Sequence, residues 1–381
     1  MAATIAVFSN RVVHSENVDG NFNPVDDFMV TVTENLPDTP QIWRVLLDEQ
    51  FKAKLKIIKK DDETKRPVLL PNTEFKVFDV TNDCYVEQVT TYPFPVKHTS
   101  YFTDEDGYLI LADPLPLGEY RIEEVNAPEG YTINTDGVPV TVDQNTAHLI
   151  EEMSGDVMIE VILENHPVKG ELTVYKEGEV LTGYNGKEFT WEMQKLKGAS
   201  FEVRAAEDIF TPDHQKDADG NRLIVYSKGE LVDTITTGDD GMAVLKDIPL
   251  GSYEVREKGA PYGYTLNAEP QGVSFNYVDQ NTPVISRELT FSNERQKVSI
   301  TTRKLDEETE VPVAGAVFGL YTGEDIMLGE KVLVEKDTLL QEMESGEDGN
   351  ASFTLDVPLG SYCVKEIKAP DGYYSSDEVI P

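Results

Sequence analysis

The sequence predicts an all-β protein built from tandem β-sandwich domains. Three observations carry that prediction. One phrase occurs three times at domain-length intervals: PLGEYRIEEVNAPEGY at Pro116–Tyr131, PLGSYEVREKGAPYGY at Pro249–Tyr264 and PLGSYCVKEIKAPDGY at Pro358–Tyr373. Around these copies, short alternating apolar runs are separated by Asn-Asp, Pro-rich and Asp-Gly turns. No segment sustains a helical period.

Residues 1–52 form the least regular stretch. Asp27–Gln50 reads as two strands and matches the segments that close the later repeats, Gly137–Asn165 and Gly272–Asn293. No Ala-Pro-x-Gly-Tyr box lies upstream, so 1–52 is read as the closing strands of a preceding repeat or a degenerate N-terminal segment. The first repeat, 53–167, opens with Leu55-Lys56-Ile57-Ile58-Lys59-Lys60-Asp61, followed by Phe75–Asp79. The second, 168–294, opens with Glu171–Lys176 and carries a polar insertion, Pro212–Arg222, expected to be an exposed loop. The third, 295–381, opens with Val298–Lys304 and has its phrase but not the closing strands of the other two.

Composition narrows the function classes. Acidic residues outnumber basic ones by 70 to 33, a net charge of −37, which repels nucleic acid and anionic membranes. Cys84 and Cys363 occupy non-equivalent positions, so a disulfide framework is not expected. No apolar stretch is long enough to span a membrane, and Met1–Thr4 lacks a signal-peptide pattern; a cut from a longer protein is the favoured reading. The five histidines make no ligand pair. The Asp-Gly turns at Thr103–Gly107, Thr237–Gly241 and Gly346–Gly349, and Asp217–Asn221, lack a full calcium loop and read as hairpin turns. No metal and no cofactor are expected.

Strand parity selects a recurrent polar set. Within each phrase Tyr120, Ile122 and Glu124 share a face, as do Tyr253, Val255 and Glu257, and Tyr362, Val364 and Glu366. A glutamate on an apolar face is costly unless paired or protonated. In the opening strands Leu55, Ile57 and Lys59 share a face, as do Leu172, Val174 and Lys176, and Val298, Ile300 and Lys304. Lys56 is an alternative in the first repeat. In the closing strands the shared faces are Ile159, Val161, Leu163 and Asn165, and Ile285, Leu289, Phe291 and Asn293. If the three polar residues meet inside a sandwich, a desolvated lysine becomes a neutral nucleophile and a desolvated glutamate keeps its proton. The amine then attacks the asparagine carbonyl, the glutamate polarises it and moves the proton, and ammonia leaves. The competing account is structural: a buried Lys–Glu ion pair, with the asparagine capping a strand end.

The Tyr…Glu-x-x-Ala-Pro-x-Gly-Tyr motif, the Lys-x-Asp or Lys-x-Gly opening and the terminal Asn resemble the collagen-adhesin B-type domain. That domain is also called the SpaA-like or prealbumin-like pilin domain of Gram-positive surface proteins. The likeness covers about 53–381. Ala206-Glu207-Asp208-Ile209 and Gly323-Glu324-Asp325-Ile326 further resemble copies in very long adhesins. The resemblance implies immunoglobulin-like (prealbumin-like) sandwiches with autocatalytic isopeptide bonds: donors Lys59, Lys176 and Lys304, catalytic acids Glu124, Glu257 and Glu366, acceptors Asn165 and Asn293. It implies the stalk of a cell-wall-anchored, extracellular adhesin or pilin, with neighbouring repeats as partners and a host-surface or matrix ligand bound by domains outside this chain. The third repeat lacks an acceptor strand. Asp48 aligns with Asn165 and Asn293, so Lys304 is expected to have Asp48 of another molecule as a candidate acceptor, losing water instead of ammonia.

Two rivals belong to other classes. A carbohydrate- or protein-binding module would use an insertion such as Pro212–Arg222. A glycoside hydrolase would need a second recurrent acid beside the glutamate, and none recurs. Tyr92–Lys97 faintly resembles a pilin's sortase lysine segment but reads as a Pro-rich loop, and no Leu-Pro-x-Thr-Gly sorting signal is present.

Overall fold

A computed structural model describes residues 51–91, 93–143, 145–146, 148–149 and 157–374; the strands expected over Asp27–Gln50, the acceptor Asp48 and Tyr92 lie outside them. The described residues contain strands and turns and no α-helix. Contacts divide the chain into two compact units. One takes in the chain up to Gly170 with Asp208–Val225 and Phe275–Ile285; the other has Glu171–Glu207, Tyr226–Ser274 and the chain from Ser286.

The first repeat is a sandwich of two sheets. One orders His148–Leu149, Val157–Asn165, Lys52–Asp61 and Tyr108–Ile110; the other orders Val138–Val142, Gly118–Asn126, Glu74–Asp79 and Cys84–Tyr85. Opening strand Lys52–Asp61 alternates strictly between buried and less buried residues, so Ala53, Leu55 and Ile57 fill the core with Phe75, Val77, Tyr120, Ile122, Ile159 and Leu163. First and last strands pair in parallel, which the crossover through the second sheet permits. Their register sets Lys59 opposite Leu163 and Asp61 opposite Asn165.

The second repeat follows the same plan. Its opening strand Lys169–Tyr184 pairs with the closing strand Val284–Asn293 and with Met242–Ile248, while the facing sheet orders Leu231–Thr236, Ser200–Ala205, Gly251–Gly259 and Gln271–Phe275. In the third repeat Ile300–Arg303 pairs with Asn350–Phe353, opposite a sheet ordered Leu339–Glu344, Val317–Thr322, Tyr362–Lys368. Here Val298 lies outside the strand and is exposed, contrary to expectation; Ile300, Thr302 and Lys304 share the half-buried face.

In every copy of the repeated phrase the Tyr hydroxyl donates to the Pro carbonyl four residues earlier: Tyr120 to Pro116 at 2.9 Å, Tyr253 to Pro249 and Tyr362 to Pro358 at 2.7 Å. This tyrosine corner fixes the entry of the glutamate-bearing strand. At the other end, the box closes a tight turn in which Tyr131, Tyr264 and Tyr373 N–H each donate to the Pro carbonyl three residues back.

Asp217–Asn221 turns a hairpin, with Lys216 bridged to Arg222 and Ile209–Phe210 paired with Ile224–Tyr226, but the three recurrent Asp-Gly turns are not hairpins. Tyr101–Phe102 pairs with Glu74–Asp79 whereas Tyr108–Ile110 pairs with Lys52–Asp61, so the intervening turn joins the two sheets. Its counterparts in the other repeats do the same. The carbonyls of Gly107, Gly241 and Gly349 accept from the N–H of Lys59, Lys176 and Lys304 at 2.8, 3.0 and 2.8 Å. These glycines have φ of +77°, +68° and +75°, and a Cβ on Gly107 would stand 2.2 Å from the Val68 carbonyl oxygen. The turn thus holds the lysine's backbone.

The insertion in the second repeat is only partly the exposed loop expected. Its tip, Asp217–Arg222, is exposed, but Asp213 is fully buried. The Asp213 carboxylate meets the Arg66 guanidinium at 2.7 Å, its carbonyl accepts from Leu69 N–H at 2.9 Å, and the Gln215 amide donates to the Pro67 carbonyl at 2.7 Å. A buried carboxylate needs such a partner, and repeat one supplies it. Between repeats two and three, the hairpin of Lys169–Tyr184 and Phe189–Lys195 sends Leu181, Tyr184, Phe189 and Trp191 into the core around Phe318, Leu320 and Phe353.

Candidate functional site

The long opening strand of the second repeat explains a sequence difference at the site. In the first repeat the strand ends at Lys-x-Asp and in the third just before it; Asp61 accepts from Glu63 and Thr64 N–H, and Asp306 from Glu308 and Thr309 N–H. Asx turns of this kind redirect the chain. In the second repeat Gly178 replaces the aspartate and the strand continues; a Cβ there would lie 2.6 Å from the Tyr264 ring. The box tyrosines follow suit: Tyr131 donates to Asp61 at 2.8 Å, Tyr373 to Asp306 at 3.0 Å, and Tyr264 to the Glu179 carbonyl at 2.8 Å.

Two Lys–Glu–Asn sets come together inside their sandwiches. Lys59 and Lys176 are 0% exposed, and Glu124, Glu257, Asn165 and Asn293 are all buried. Lys59 Nζ lies against Asn165 Oδ1, and Lys176 Nζ against Asn293 Oδ1. Each amine also faces its glutamate: Lys59 Nζ to Glu124 Oε1 at 3.1 Å, Lys176 Nζ to Glu257 Oε1 at 2.9 Å. The carboxyls reach the amide nitrogens, Asn165 Nδ2 donating to Glu124 Oε2 and Asn293 Nδ2 to Glu257 Oε1, each at 2.8 Å. Asn165 Nδ2 also donates to the Thr132 carbonyl at 2.6 Å. The glutamate therefore meets the amide nitrogen rather than the carbonyl oxygen that sequence reasoning assigned to it. Lys56 is no part of the set; its amine pairs with Glu160 at 2.7 Å on the outer face.

Burial sets the protonation. Desolvation outweighs the attraction of Glu124 and brings the Lys59 amine down from 10.5 to about 8, and it lowers that of Lys176 against Glu257. The apolar cover is partly aromatic. Lys59 Nζ is 6.0 Å from the Phe75 ring centroid, and Lys176 Nζ 5.9 Å from that of Phe201.

Sequence reasoning missed these aromatics and the irregularity beside them. Phe75, Phe201 and Phe318 are the cross-strand partners of Glu124, Glu257 and Glu366. In all three repeats the register slips immediately before that pair. The extra residue lies on the glutamate strand directly after the glutamate (Val125, Lys258 and Ile367), and a bulge there re-aims the neighbouring side chain. Three aligned Phe residues preceding the phrase were the available signal.

The third repeat also brings its lysine and glutamate together. Lys304 Nζ meets Glu366 Oε1 at 2.9 Å, with side-chain exposures of 18% and 4%. No asparagine side chain joins them among the described residues. Nor, among those residues, do three His, Cys, Asp or Glu side chains cluster to hold a metal, and no helix is long and apolar enough to cross a membrane.

Comparison with known proteins agrees with this architecture. The chain is 29% identical over 75 residues to the trypsin-resistant surface T6 protein of Streptococcus pyogenes serotype M6, covering 19% of this chain and 14% of that protein. It is 29% identical over 172 residues to serine-aspartate repeat-containing protein D of Staphylococcus aureus, covering 45% of this chain and 11% of that one. The chain thus spans only a small part of these relatives. Among solved structures, the Bacillus anthracis TIE protein superposes with a TM-score of 0.53 at 21% identity, over 88% of this chain and 51% of that one. The SpaA family model, a prealbumin-like fold domain, matches residues 53–155, 172–289 and 298–381, and the chain belongs to that family.

Proposed function

We propose that the chain is a stretch of the stalk of a Gram-positive cell-surface adhesin or pilin-like protein, in which Lys59–Asn165 and Lys176–Asn293 join as intramolecular isopeptide bonds. The observation that carries this reading is the same buried Lys–Glu–Asn arrangement, built twice on first and last strands. The neutral amine attacks Cγ of the asparagine. One Nζ proton passes to the glutamate, and the glutamate returns a proton to Nδ2, which faces the same carboxyl. The Cγ–Nδ2 bond breaks, ammonia leaves, and an Nζ–Cγ amide remains. Each site turns over once, since both reactants stay in the chain, so no multiple-turnover enzyme is implied. Proximity supplies the drive. The surface T6 protein, as a relative, supports a location on the cell surface. In such a stalk the partners are neighbouring repeats, with a host ligand held by other domains.

Intact mass at isotopic accuracy tests the reading. Each bond removes one ammonia, about 17 Da, and peptide mapping should give branched peptides joining Lys59 to Asn165 and Lys176 to Asn293. Linear peptides alone at full coverage refute it.

A further inference from the structure

The segment after each box reads Tyr131-Thr132-Ile133-Asn134 in the first repeat and Tyr264-Thr265-Leu266-Asn267 in the second, against Tyr373-Tyr374-Ser375-Ser376 in the third. In both complete repeats it runs as a strap across the end of the closing strand. Thr132 N–H donates to the His166 carbonyl and Thr265 N–H to the Glu294 carbonyl, both at 2.9 Å. The threonine hydroxyls donate to the same carbonyls at 3.2 and 3.0 Å. Two residues later, the backbone N–H of Asn134 donates to Glu124 Oε2 at 2.7 Å, and that of Asn267 to Glu257 Oε2 at 3.0 Å. The asparagine side chains keep these N–H groups in place, Oδ1 of Asn134 accepting from Asp136 N–H and Oδ1 of Asn267 from Glu269 N–H.

We propose that this Tyr-Thr-x-Asn strap is the positioning element of the bond-forming reaction, its asparagine N–H holding the glutamate carboxyl between nucleophile and leaving nitrogen. The inference rests on the reaction proposed above. A carboxyl inside an apolar sandwich is otherwise free to rotate about its last torsion, and the N–H pins one oxygen. In the second repeat this leaves Oε1 to face both Lys176 Nζ and Asn293 Nδ2. In the first, Oε1 faces Lys59 Nζ while the pinned Oε2 also receives Asn165 Nδ2.

The test uses the full chain, refolded from denaturant, with each bond followed separately by peptide mapping. Asn267→Pro removes the N–H; Asn267→Ser keeps it and keeps a side-chain oxygen for the turn. Asn267→Pro should slow the Lys176–Asn293 bond by about ten- to hundredfold, the range for a hydrogen bond to a charged group, while Lys59–Asn165 forms normally in the same molecule. Asn267→Ser should restore the rate. A wild-type rate in Asn267→Pro overturns the proposal, as does slowing that Asn267→Ser shares. If the proline variant does not fold, the hydroxy-acid analogue of asparagine at 267, which replaces the N–H by an ester oxygen, carries the same two outcomes. Failure of the underlying reaction reads differently: the unaltered chain then loses no ammonia at either site.

Discussion

Replacing Lys176 by Met removes the amine while keeping most of the buried stem, so its main consequence is loss of the proposed crosslink. Glu257 stays bonded to Asn293 Nδ2 and to Asn267 N–H, which limits the secondary damage. Lys176 and Asn293 are 117 residues apart, and closing a loop of that length is worth about 4–5 kcal/mol by the chain-entropy relation for crosslinks. For a domain of this size the unfolding entropy converts that to about 20 °C in the midpoint of the second repeat. Calorimetry of the unaltered chain and Lys176→Met, with the bond checked by mass, should show one transition displaced by that amount. A displacement under about 5 °C, the scale of an ordinary substitution of about 1 kcal/mol, refutes the crosslink argument. So does an equal displacement in a variant whose mass shows the bond intact.

Three other outcomes are expected. Because burial lowers the Lys59 amine to about 8, its neutral form at pH 7 is about 300-fold more abundant than at the ordinary lysine value. In chain refolded from inclusion bodies at set pH, the rate of the Lys59–Asn165 bond should therefore rise about tenfold per pH unit below about 8 and level off above it; a flat profile from pH 6 to 8 contradicts this assignment. Gly107→Ala forces a side chain onto a φ of +77° and against the Val68 carbonyl, so it should destabilise the first repeat by at least about 1–2 kcal/mol and slow its bond but not the second, read by the same mapping. Asp213→Ala leaves Arg66 without its buried partner, and hydrogen exchange should speed up at Leu69, whose N–H bonds the Asp213 carbonyl, with both ammonia losses unchanged.

Strand identity and the three polar faces were legible in the sequence because a buried strand writes its parity directly into residue type. Leu55, Ile57 and Lys59, or Ile159, Val161, Leu163 and Asn165, read inward as they lie. The opening of the third repeat was less legible, because Val298 precedes the strand and its apolar character carries no pairing information. Features made by contacts between distant segments left fainter marks. The bulge before Phe75, Phe201 and Phe318 depends on how two strands slip past one another, which neither strand shows alone. The strap acts through a backbone N–H, a group every residue but proline has; its supporting Thr and Asn are shared by the first two repeats, where the third has Tyr374 and Ser376. The insertion reads as a solvent loop from its polarity, because the partner that buries Asp213 lies 147 residues earlier, at Arg66.

The placement of the two proposed bonds would suit a chain that carries tension. In the first repeat Lys59 sits near the end of the first strand and Asn165 at the end of the last, and the next repeat's opening strand begins at Lys169. Once the amide forms, the covalent path runs along the first strand, across the amide and out into the second repeat. The 106-residue span between the bonded residues then lies off that path, hiding about 350 Å of extended chain from a pulling force. Without the bond, force would load the parallel hydrogen bonds joining Lys52–Asp61 to Val157–Asn165 in shear, and the span could extend once that ladder broke. The second proposed bond would extend the same covalent path from Lys176 to Asn293. In a stalk the two bonds would make each sandwich a side branch of the load path, so that its own stability would no longer limit how far the chain can stretch.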